Sequence, residues 1–236
     1  VVGTNAGAGL YLNEVGAFEA TRVTFADNRS HHAPALFCYS SDMTLNSCTL
    51  SGNTATNWGG AVRIRKGNPV CTFNSCSFNG NSAVNDSGCI VLNDGTINFN
   101  NCSFTGNGCV SNGGAIVANS ACTINISGGF FKGNYVSSDG GEGGAIRLKS
   151  GDTTLNIENC SFGGTASGEP NYSGMDGGAL SLQVGTTTIT NCDFIGNYAL
   201  NDDPARTEPD KGYGGAIDCY SSASMTIYGG TFSGNK

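Results

Sequence analysis

Hydrophobic and polar residues alternate in short runs along the whole chain, and no stretch shows the spacing of an amphipathic helix. One kind of run is apolar-x-apolar, as at residues 62–64 and 146–148, where an arginine occupies the middle position. Because side chains alternate between the two faces of a strand, we expect these arginines to face water. A second kind of run, as at residues 155–162, reads apolar-x-apolar-x-x-Cys-x-Phe. Its two-residue gap interrupts the alternation and predicts a bend.

Two tetrapeptide motifs alternate along the chain and define a repeat. Gly-Gly-Ala followed by an aliphatic residue begins at residues 59, 113, 143, 177 and 214, with weaker copies at 7, 33 and 87. Phe-x-x-Asn begins at residues 25, 78, 104, 131, 194 and 232, with degenerate copies at 50 and 162. The period is about 26 residues near the N-terminus and lengthens toward the C-terminus. Each copy therefore holds several short strands rather than a helix pair.

A single copy cannot bury its inward side chains, but copies stacked at the strand spacing of about 4.8 Å supply one another with a core. We therefore predict an all-β fold, a right-handed parallel β-helix of about eight coils. Residues 1–236 form one such segment, which we expect to belong to a longer surface protein. An antiparallel sandwich is disfavoured because two-residue hairpin signals do not separate the runs.

Residues at equivalent repeat positions are expected to form inward columns. The predicted cysteine column comprises Cys48, Cys76, Cys102, Cys160 and Cys192. The predicted phenylalanine column comprises Phe25, Phe78, Phe104, Phe131 and Phe194. The predicted asparagine ladder, with amides bonded from coil to coil, comprises Asn28, Asn53, Asn81, Asn107, Asn134 and Asn197. Parallel side chains hold their Cβ atoms too far apart for an easy disulfide, so free thiols are favoured. Cys109 and Cys122 lie off the cysteine column and are the better disulfide candidates.

Composition narrows the function. The chain carries 18 acidic against 11 basic residues, a formal net charge of −7, which argues against nucleic acid and against a polybasic membrane patch. No apolar run is long enough to span a bilayer. Only two histidines and no Cys-x-x-Cys pair are present, so a zinc site is disfavoured and no cofactor is expected.

The alternation of Gly-Gly-Ala-aliphatic with Phe-x-x-Asn resembles the repeats of the chlamydial polymorphic membrane proteins, which are autotransporter passengers that act as adhesins. The resemblance extends over essentially all 236 residues. It implies a parallel β-helix displayed outside the cell, at the surface or secreted, and used for attachment. The cysteine that stands two residues before the Phe-x-x-Asn motif in five of the repeats departs from that family.

Candidate binding residues fall into two groups. The first lies in enlarged corner loops at residues 135–142, 166–176 and 198–213 and in one shorter loop, and comprises Trp58, Tyr135, Tyr172, Tyr198 and Tyr213. The second is an outward polar column of Thr44, Thr72, Asn98, Asn125 and Asn156. That column either binds a glycan or partner or merely solvates a regular sheet. Trp58 is either a binding anchor or a cover for the corner.

Two further features of the sequence concern ions and modification. Asp202, Asp203 and Asp210 are a weak Ca²⁺ candidate, and a plain acidic loop is favoured because the Asp-x-Asp spacing is missing. Asn-x-Ser/Thr sequons, which permit N-glycosylation in a eukaryotic secretory pathway, occur at Asn28, Asn85, Asn101, Asn125, Asn159 and Asn171.

Three functions are compatible with these patterns. The first is an adhesin that presents loops to a host or neighbouring-cell protein or glycan. The second is a structural subunit of an extracellular filament, in contact with copies of itself or other subunits. The third is a polysaccharide lyase or hydrolase, which needs carboxylates gathered above one face. We assign no catalytic residue and expect no enzyme, since the charges of the outward columns are scattered along the sequence.

Overall fold

In a computed structural model the chain folds into three parallel sheets; the structure describes residues 6–200 and 212–236. The Gly-Gly-Ala sheet contains Leu10–Asn13, Leu36–Tyr39, Val62–Arg65, Ile90–Leu92, Ile116–Ala118, Ile146–Leu148, Leu180–Leu182 and Ile217–Cys219. The cysteine sheet contains Ala17–Thr21, Thr24–Ala26, Asp42–Asn46, Thr49–Ser51, Val70–Asn74, Ser77–Asn79, Thr96–Thr105, Thr123–Lys132, Thr154–Glu158, Ser161–Gly163, Gly185–Ile195 and Ala223–Ser233. The asparagine sheet contains Arg29–His32, Thr54–Trp58, Ser82–Ala83, Gly108–Cys109, Tyr135–Val136, Tyr172–Ser173 and Tyr198–Ala199.

Each strand pairs in parallel with its equivalent one coil away. Successive rungs of the Gly-Gly-Ala sheet, for example, pair Leu36 with Val62 and then Val62 with Ile90. The eight strands of this sheet are separated by seven turns of the chain, and no helix occurs in the described part. These features confirm the all-β parallel solenoid, while its right-handedness stays an expectation based on the strong bias of parallel crossovers.

The two-residue gap before each cysteine is a bend, as the pattern predicts. Ser47, Ser75, Asn101 and Asn159, each directly before the column cysteine, have φ angles between 51° and 54°. This left-handed conformation interrupts the alternation of the strand. The cysteine therefore points inward, although it lies three positions after an inward residue and strict alternation would turn it outward. Asn and Ser tolerate the conformation because their short polar side chains bond locally.

The interior is one continuous column of apolar side chains. Phe78, Phe104, Phe131, Phe162 and Phe194 stack face to face with ring centroids 4.5–4.7 Å apart and with 0–1% of their surface exposed. The spacing equals the strand separation because in-register strands repeat the same rotamer. At the N-terminal end of this column Phe25, half-buried, precedes Leu50.

The asparagines form a hydrogen-bonded ladder beside the phenylalanines. From Asn53 onward, each side-chain nitrogen donates to the side-chain oxygen of the asparagine in the next coil and to a backbone carbonyl oxygen in the preceding coil. Asn81 Nδ2, for example, donates at 2.9 Å to Asn107 Oδ1 and at 2.9 Å to Leu50 O. Between Asn134 and Asn197 the ladder continues through Asn171, whose Oδ1 accepts hydrogen bonds from both the backbone nitrogen and the Nδ2 of Asn134. The sequence pattern missed Asn171 because eight residues, and not two, lie between it and Phe162.

The second glycine of each Gly-Gly-Ala motif lies where the backbones of two coils meet. A Cβ on Gly114 or Gly144 would lie within about 3 Å of backbone atoms of the neighbouring coil. No rotamer change relieves a clash with backbone, so glycine is required by space at these positions.

The column cysteines are free thiols, as are Cys109 and Cys122. Cys76 and Cys102 each donate to a backbone carbonyl oxygen at 3.3 Å. The Sγ atoms of Cys38 and Cys71 approach to 4.0 Å, about twice the length of a disulfide bond. Burial raises the pKa of Cys109 to about 12 and that of Cys122 to about 11, so neither thiol ionises readily. The preference for these two as disulfide partners is therefore wrong.

Candidate functional site

One outward row of side chains folds over the Gly-Gly-Ala sheet. It consists of the residues directly before each motif, which we call the corner row: Ala6, His32, Trp58, Asp86, Asn112, Glu142, Asp176 and Tyr213. Neighbouring members form parallel bridges, including His32 with Trp58 and Asn112 with Glu142. The corner row covers the middle residues of the strands that follow.

This cover corrects one expectation from the sequence. Arg63 and Arg147, predicted to face water, are only 6% exposed, and Val91 and Val117 in the same outward column are fully buried. The alternation assigned these side chains to the outer face, as observed, but that face is not solvent. The first glycine of each motif turns at positive φ, for instance 61° at Gly113, and brings the corner against the middle side chain.

At the N-terminal coils the outer face opens into a groove. Its lining comprises Ala6, Tyr11, His31, His32, Phe37, Trp58, Arg63 and Arg65, and its volume is about 650 Å³. That volume lies within the range of about 300–1,000 Å³ typical of small-ligand sites. Tyr11 is 50% exposed, and its ring stacks on that of Phe37 with centroids 5.3 Å apart. We refer to this site as the groove.

Arg63 lies at the base of the groove. Its guanidinium carbon is 5.1 Å from the ring centre of Trp58 and 5.9 Å from that of Phe37, and Nε donates to Asn93 Oδ1 at 3.1 Å. Burial, and secondarily the nearby Arg65, lowers the pKa of Arg63 to about 10, which still leaves it charged at neutral pH. The terminal nitrogens form no hydrogen bond with any described residue.

His32 separates Trp58 from the neighbouring imidazole of His31. Its ring centroid is 5.3 Å from that of Trp58 and 4.4 Å from that of His31. Burial, followed by the positive charges of Arg63, His31 and Arg65, lowers the pKa of His32 to about 4. His32 is therefore neutral at physiological pH, and its Nδ1 atom is buried without a partner in the described structure.

The charged side chains that line the groove are arginines. No carboxylate lines it among the described residues, and neither Arg63 nor Arg65 is in any ion pair of the described ranges. Asp94 lies on the far side of Arg65, but its carboxylate oxygens accept the backbone N–H groups of Asn68 and Gly95 at 3.1 and 2.9 Å. In a protein of net charge −7, this part of the surface is locally positive.

The C-terminal half of the same face is acidic, and most of its carboxylates are paired. Glu142 accepts Arg147 at 3.2 Å and Ser181 at 2.8 Å. Asp86 accepts Lys149 at 2.8 Å, across two coils. These pairs are internal to the face, which leaves their oxygens engaged.

At the last coil of this face, Asp176 accepts the backbone N–H of Tyr213 at 2.7 Å and the hydroxyl of Tyr220 at 3.0 Å. Burial, and then the charges of Asp176 and Glu142, raise the pKa of Asp218 to about 6. The sequence analysis did not recognise the corner row as a unit, because it aligned the strand residues of the repeats and not the residue directly before each motif.

The aromatic candidates occupy different places. Trp58 lies in the groove. Tyr135, Tyr172 and Tyr198 stack on one another at the asparagine sheet, with centroids 5.4 and 5.2 Å apart. Each of the three enlarged loops therefore includes a short strand of the asparagine sheet, and residues 201–211 of the last loop lie outside the described residues. Tyr213 belongs to the corner row at the opposite end from the groove.

The outward polar column bonds to itself. Thr44 pairs in register with Thr72, Asn98 donates to Thr72 Oγ1 at 3.3 Å, and Asn125 and Asn156 each donate at 2.9 Å to the asparagine one coil earlier. These amides use their donors on one another, which supports the interpretation that the column solvates and stabilises the cysteine sheet. Its role in ligand binding stays a prediction.

The remaining sequence predictions have separate outcomes. The Ca²⁺ candidates Asp202, Asp203 and Asp210 lie outside the described residues, and within those residues no cluster of three acidic, histidine or cysteine side chains suits a metal ion. The sequon residues Asn85, Asn101 and Asn159 are exposed, and Asn28 and Asn125 are half-buried. Asn171 is fully buried with both amide hydrogens donated, to Asn197 Oδ1 and Phe131 O, so this fold cannot carry a glycan there. Among the described residues there is no helix that could cross a membrane.

The comparisons with known proteins give one match. Residues 47–64 match the family model described as the Chlamydia polymorphic membrane protein repeat. This segment contains one degenerate Phe-x-x-Asn copy, the bend into the asparagine sheet and the Gly-Gly-Ala motif beside Trp58. Neither the curated proteins nor the solved structures contain a match. The match confirms the resemblance of this repeat to that family.

Proposed function

We propose that this chain is a surface-exposed passenger that attaches to another cell or molecule through the outer face of its Gly-Gly-Ala sheet. The observation that carries the proposal is the groove, which combines exposed aromatic surface with two arginines that form no ion pair among the described residues. The matched repeat and the parallel solenoid both fit a passenger of the autotransporter type.

The corner row varies more from coil to coil than the inward columns do, which supports recognition at this face. Inward columns mostly repeat one residue type from coil to coil, whereas the corner row mixes aromatic, acidic and neutral residues. A row that varies while its scaffold stays uniform is free to specify a ligand, because its side chains are not required to fill the core.

Attachment can be measured with beads coated with residues 1–236 and applied to mammalian epithelial monolayers and to bacterial lawns. We expect beads to adhere above the level of beads coated with an unrelated soluble protein, and Trp58→Ala to lower adherence by about fivefold. The matched control is Tyr228→Ala, an exposed aromatic on the last coil, which should adhere within about twofold of the parent. Adherence no better than that of the unrelated protein on every surface would overturn the proposal.

A second candidate function is a filament subunit. Its strands pair in parallel and in register from coil to coil, and the same backbone pairing would let coils of two copies stack on each other. Ordered polymers of the purified chain in electron micrographs support this function, and a monodisperse monomer at high concentration argues against it.

The third candidate, a polysaccharide-active enzyme, has one observation in its favour. Asp218 has a raised pKa, partly because of the nearby charge of Asp176, and a carboxyl with a raised pKa can act as a general acid in mildly acidic solution. Release of reducing ends from acidic or neutral polysaccharides, abolished in Asp218→Asn, would support this function.

A further inference from the structure

We propose that the groove binds an acidic sugar, with the sugar's anionic group on Arg63 and Arg65 and its ring against Tyr11. This inference rests on the proposed function and names the ligand of the same face.

Charge is the first argument. An arginine that is only 6% exposed normally has a carboxylate partner, yet among the described residues Arg63 contacts only Asn93 and two aromatic rings in this way. Arg65 follows on the same outward side of the strand, about 6–7 Å further along. Two forked donors at that spacing, neither of them in an ion pair with a described residue, are suited to an anion supplied from outside.

The aromatic lining is the second argument, because it distinguishes a sugar from a bare anion. Half of the surface of Tyr11 is open, and its ring is held in place by Phe37 beneath it. The apolar face of a sugar ring packs on such a surface while its hydroxyls stay near polar atoms.

The position of the groove argues against an extended acidic peptide. Peptides that bind sheets usually add a strand at an edge. The groove lies on a sheet face, where Leu10–Asn13, Leu36–Tyr39 and Val62–Arg65 already pair with each other through their backbones. A peptide would have to bind by side chains alone, whereas a compact sugar fits the volume of about 650 Å³.

The test compares matched charged and neutral saccharides by isothermal titration calorimetry on residues 1–236. The pairs are sialyllactose with lactose, and oligogalacturonate with its methyl ester, and polyglutamate serves as the peptide probe. We expect at least one acidic sugar to bind about tenfold more tightly than its neutral partner and than polyglutamate. Equal binding within both pairs, or polyglutamate binding as tightly as the better sugar, refutes the assignment.

Variants locate the binding. Arg65→Gln, at an exposed position, should weaken the acidic sugar about tenfold without changing thermal unfolding, and Arg63→Gln should do the same if circular dichroism shows an intact fold. The control is Arg22→Gln, which removes an exposed arginine from a different corner and should leave affinity within about twofold. An equal loss in Arg22→Gln would mean that net charge, and not the groove, attracts the sugar.

The bead assay separates the two levels of the proposal. Beads that adhere equally with and without Arg65→Gln, while no acidic sugar binds, overturn the sugar assignment but leave attachment standing. Acidic sugar binding without adherence to any cell overturns attachment and leaves the groove assignment standing.

Discussion

Replacing Asn134 by alanine tests whether the asparagine ladder holds the coils together. Asn134 is fully buried and its side chain makes four hydrogen bonds. Its Nδ2 donates to Phe104 O and to Asn171 Oδ1, both at 2.9 Å. Its Oδ1 accepts Asn107 N at 3.1 Å and Asn107 Nδ2 at 3.0 Å. Alanine removes all four bonds at once.

The expected loss follows from the groups left without partners. The backbone N–H of Asn107 loses the bond that Oδ1 provides, and a buried unpaired group costs about 1–3 kcal/mol. The side-chain amide of Asn107, the carbonyl oxygen of Phe104 and Oδ1 of Asn171 each lose one hydrogen bond, at about 0.5–1 kcal/mol apiece. We expect Asn134→Ala to lower the free energy of unfolding by about 3–5 kcal/mol, a large share of the total stability of a typical domain.

A second variant separates hydrogen bonding from shape. Asn134→Asp keeps the size of the side chain and the acceptor facing Asn107, but it points an ionised oxygen at Phe104 O and Asn171 Oδ1. Repulsion and the burial of a charge should make Asn134→Asp at least as destabilising as Asn134→Ala at neutral pH. The control is Asn156→Ala, which removes an exposed amide bonded to Asn125 Oδ1 and should cost under about 1 kcal/mol.

Urea unfolding followed by far-ultraviolet circular dichroism gives the free energies. Amide hydrogen exchange gives a local readout that does not require two-state unfolding, and the Asn107 N–H should exchange much faster in Asn134→Ala than in Asn156→Ala. If Asn134→Ala costs no more than Asn156→Ala, the ladder is not a source of stability and the reasoning fails.

Three other predictions concern the core, the coil contacts and pH. Phe104→Ala empties a fully buried position in the ring stack and should lose about 3–5 kcal/mol by urea unfolding, whereas Phe130→Ala, on an exposed ring, should lose under about 1 kcal/mol. Gly114→Ala pushes a methyl group into the next coil's backbone and should lower stability by about 3 kcal/mol, while Gly140→Ala, with open space around it, should change the melting temperature little. Asp218 has a raised pKa in the folded state, so folding takes up a proton and its contribution to stability falls as pH rises from about 4 to about 6. Asp218→Asn should therefore be more stable than the parent at pH 7 by about 1 kcal/mol, after discounting for solvent screening, and equal to it near pH 4; a difference that does not change with pH contradicts the assignment.

The sequence predicted the scaffold because each repeat carries the pattern that determines its own strands and bend. Most coils have the same type of residue at each inward position, so the period and the alternation together specify which side chains stack. The insertion at residues 163–170 shows where this fails, since it separates Asn171 from its phenylalanine. The missed signal was the dipeptide Asn-Tyr, which begins at Asn134, Asn171 and Asn197 and marks the ladder residue together with the start of the tyrosine stack.

The groove could not be predicted in the same way, because alternation reports the face on which a side chain lies and not what covers that face. Arg63 belongs to one coil segment, Trp58 to the corner before it, and Tyr11 and His32 to earlier coils, so the site exists only in three dimensions. The corner row lies outside the strands of the Gly-Gly-Ala sheet and is not needed to fill the core, so its residues vary without disturbing the stack. A change in the corner row should therefore alter binding more than folding, whereas a change in an inward column should do the reverse. The stability of the Arg65→Gln and Asn134→Ala proteins, measured beside their affinities, tests that separation directly.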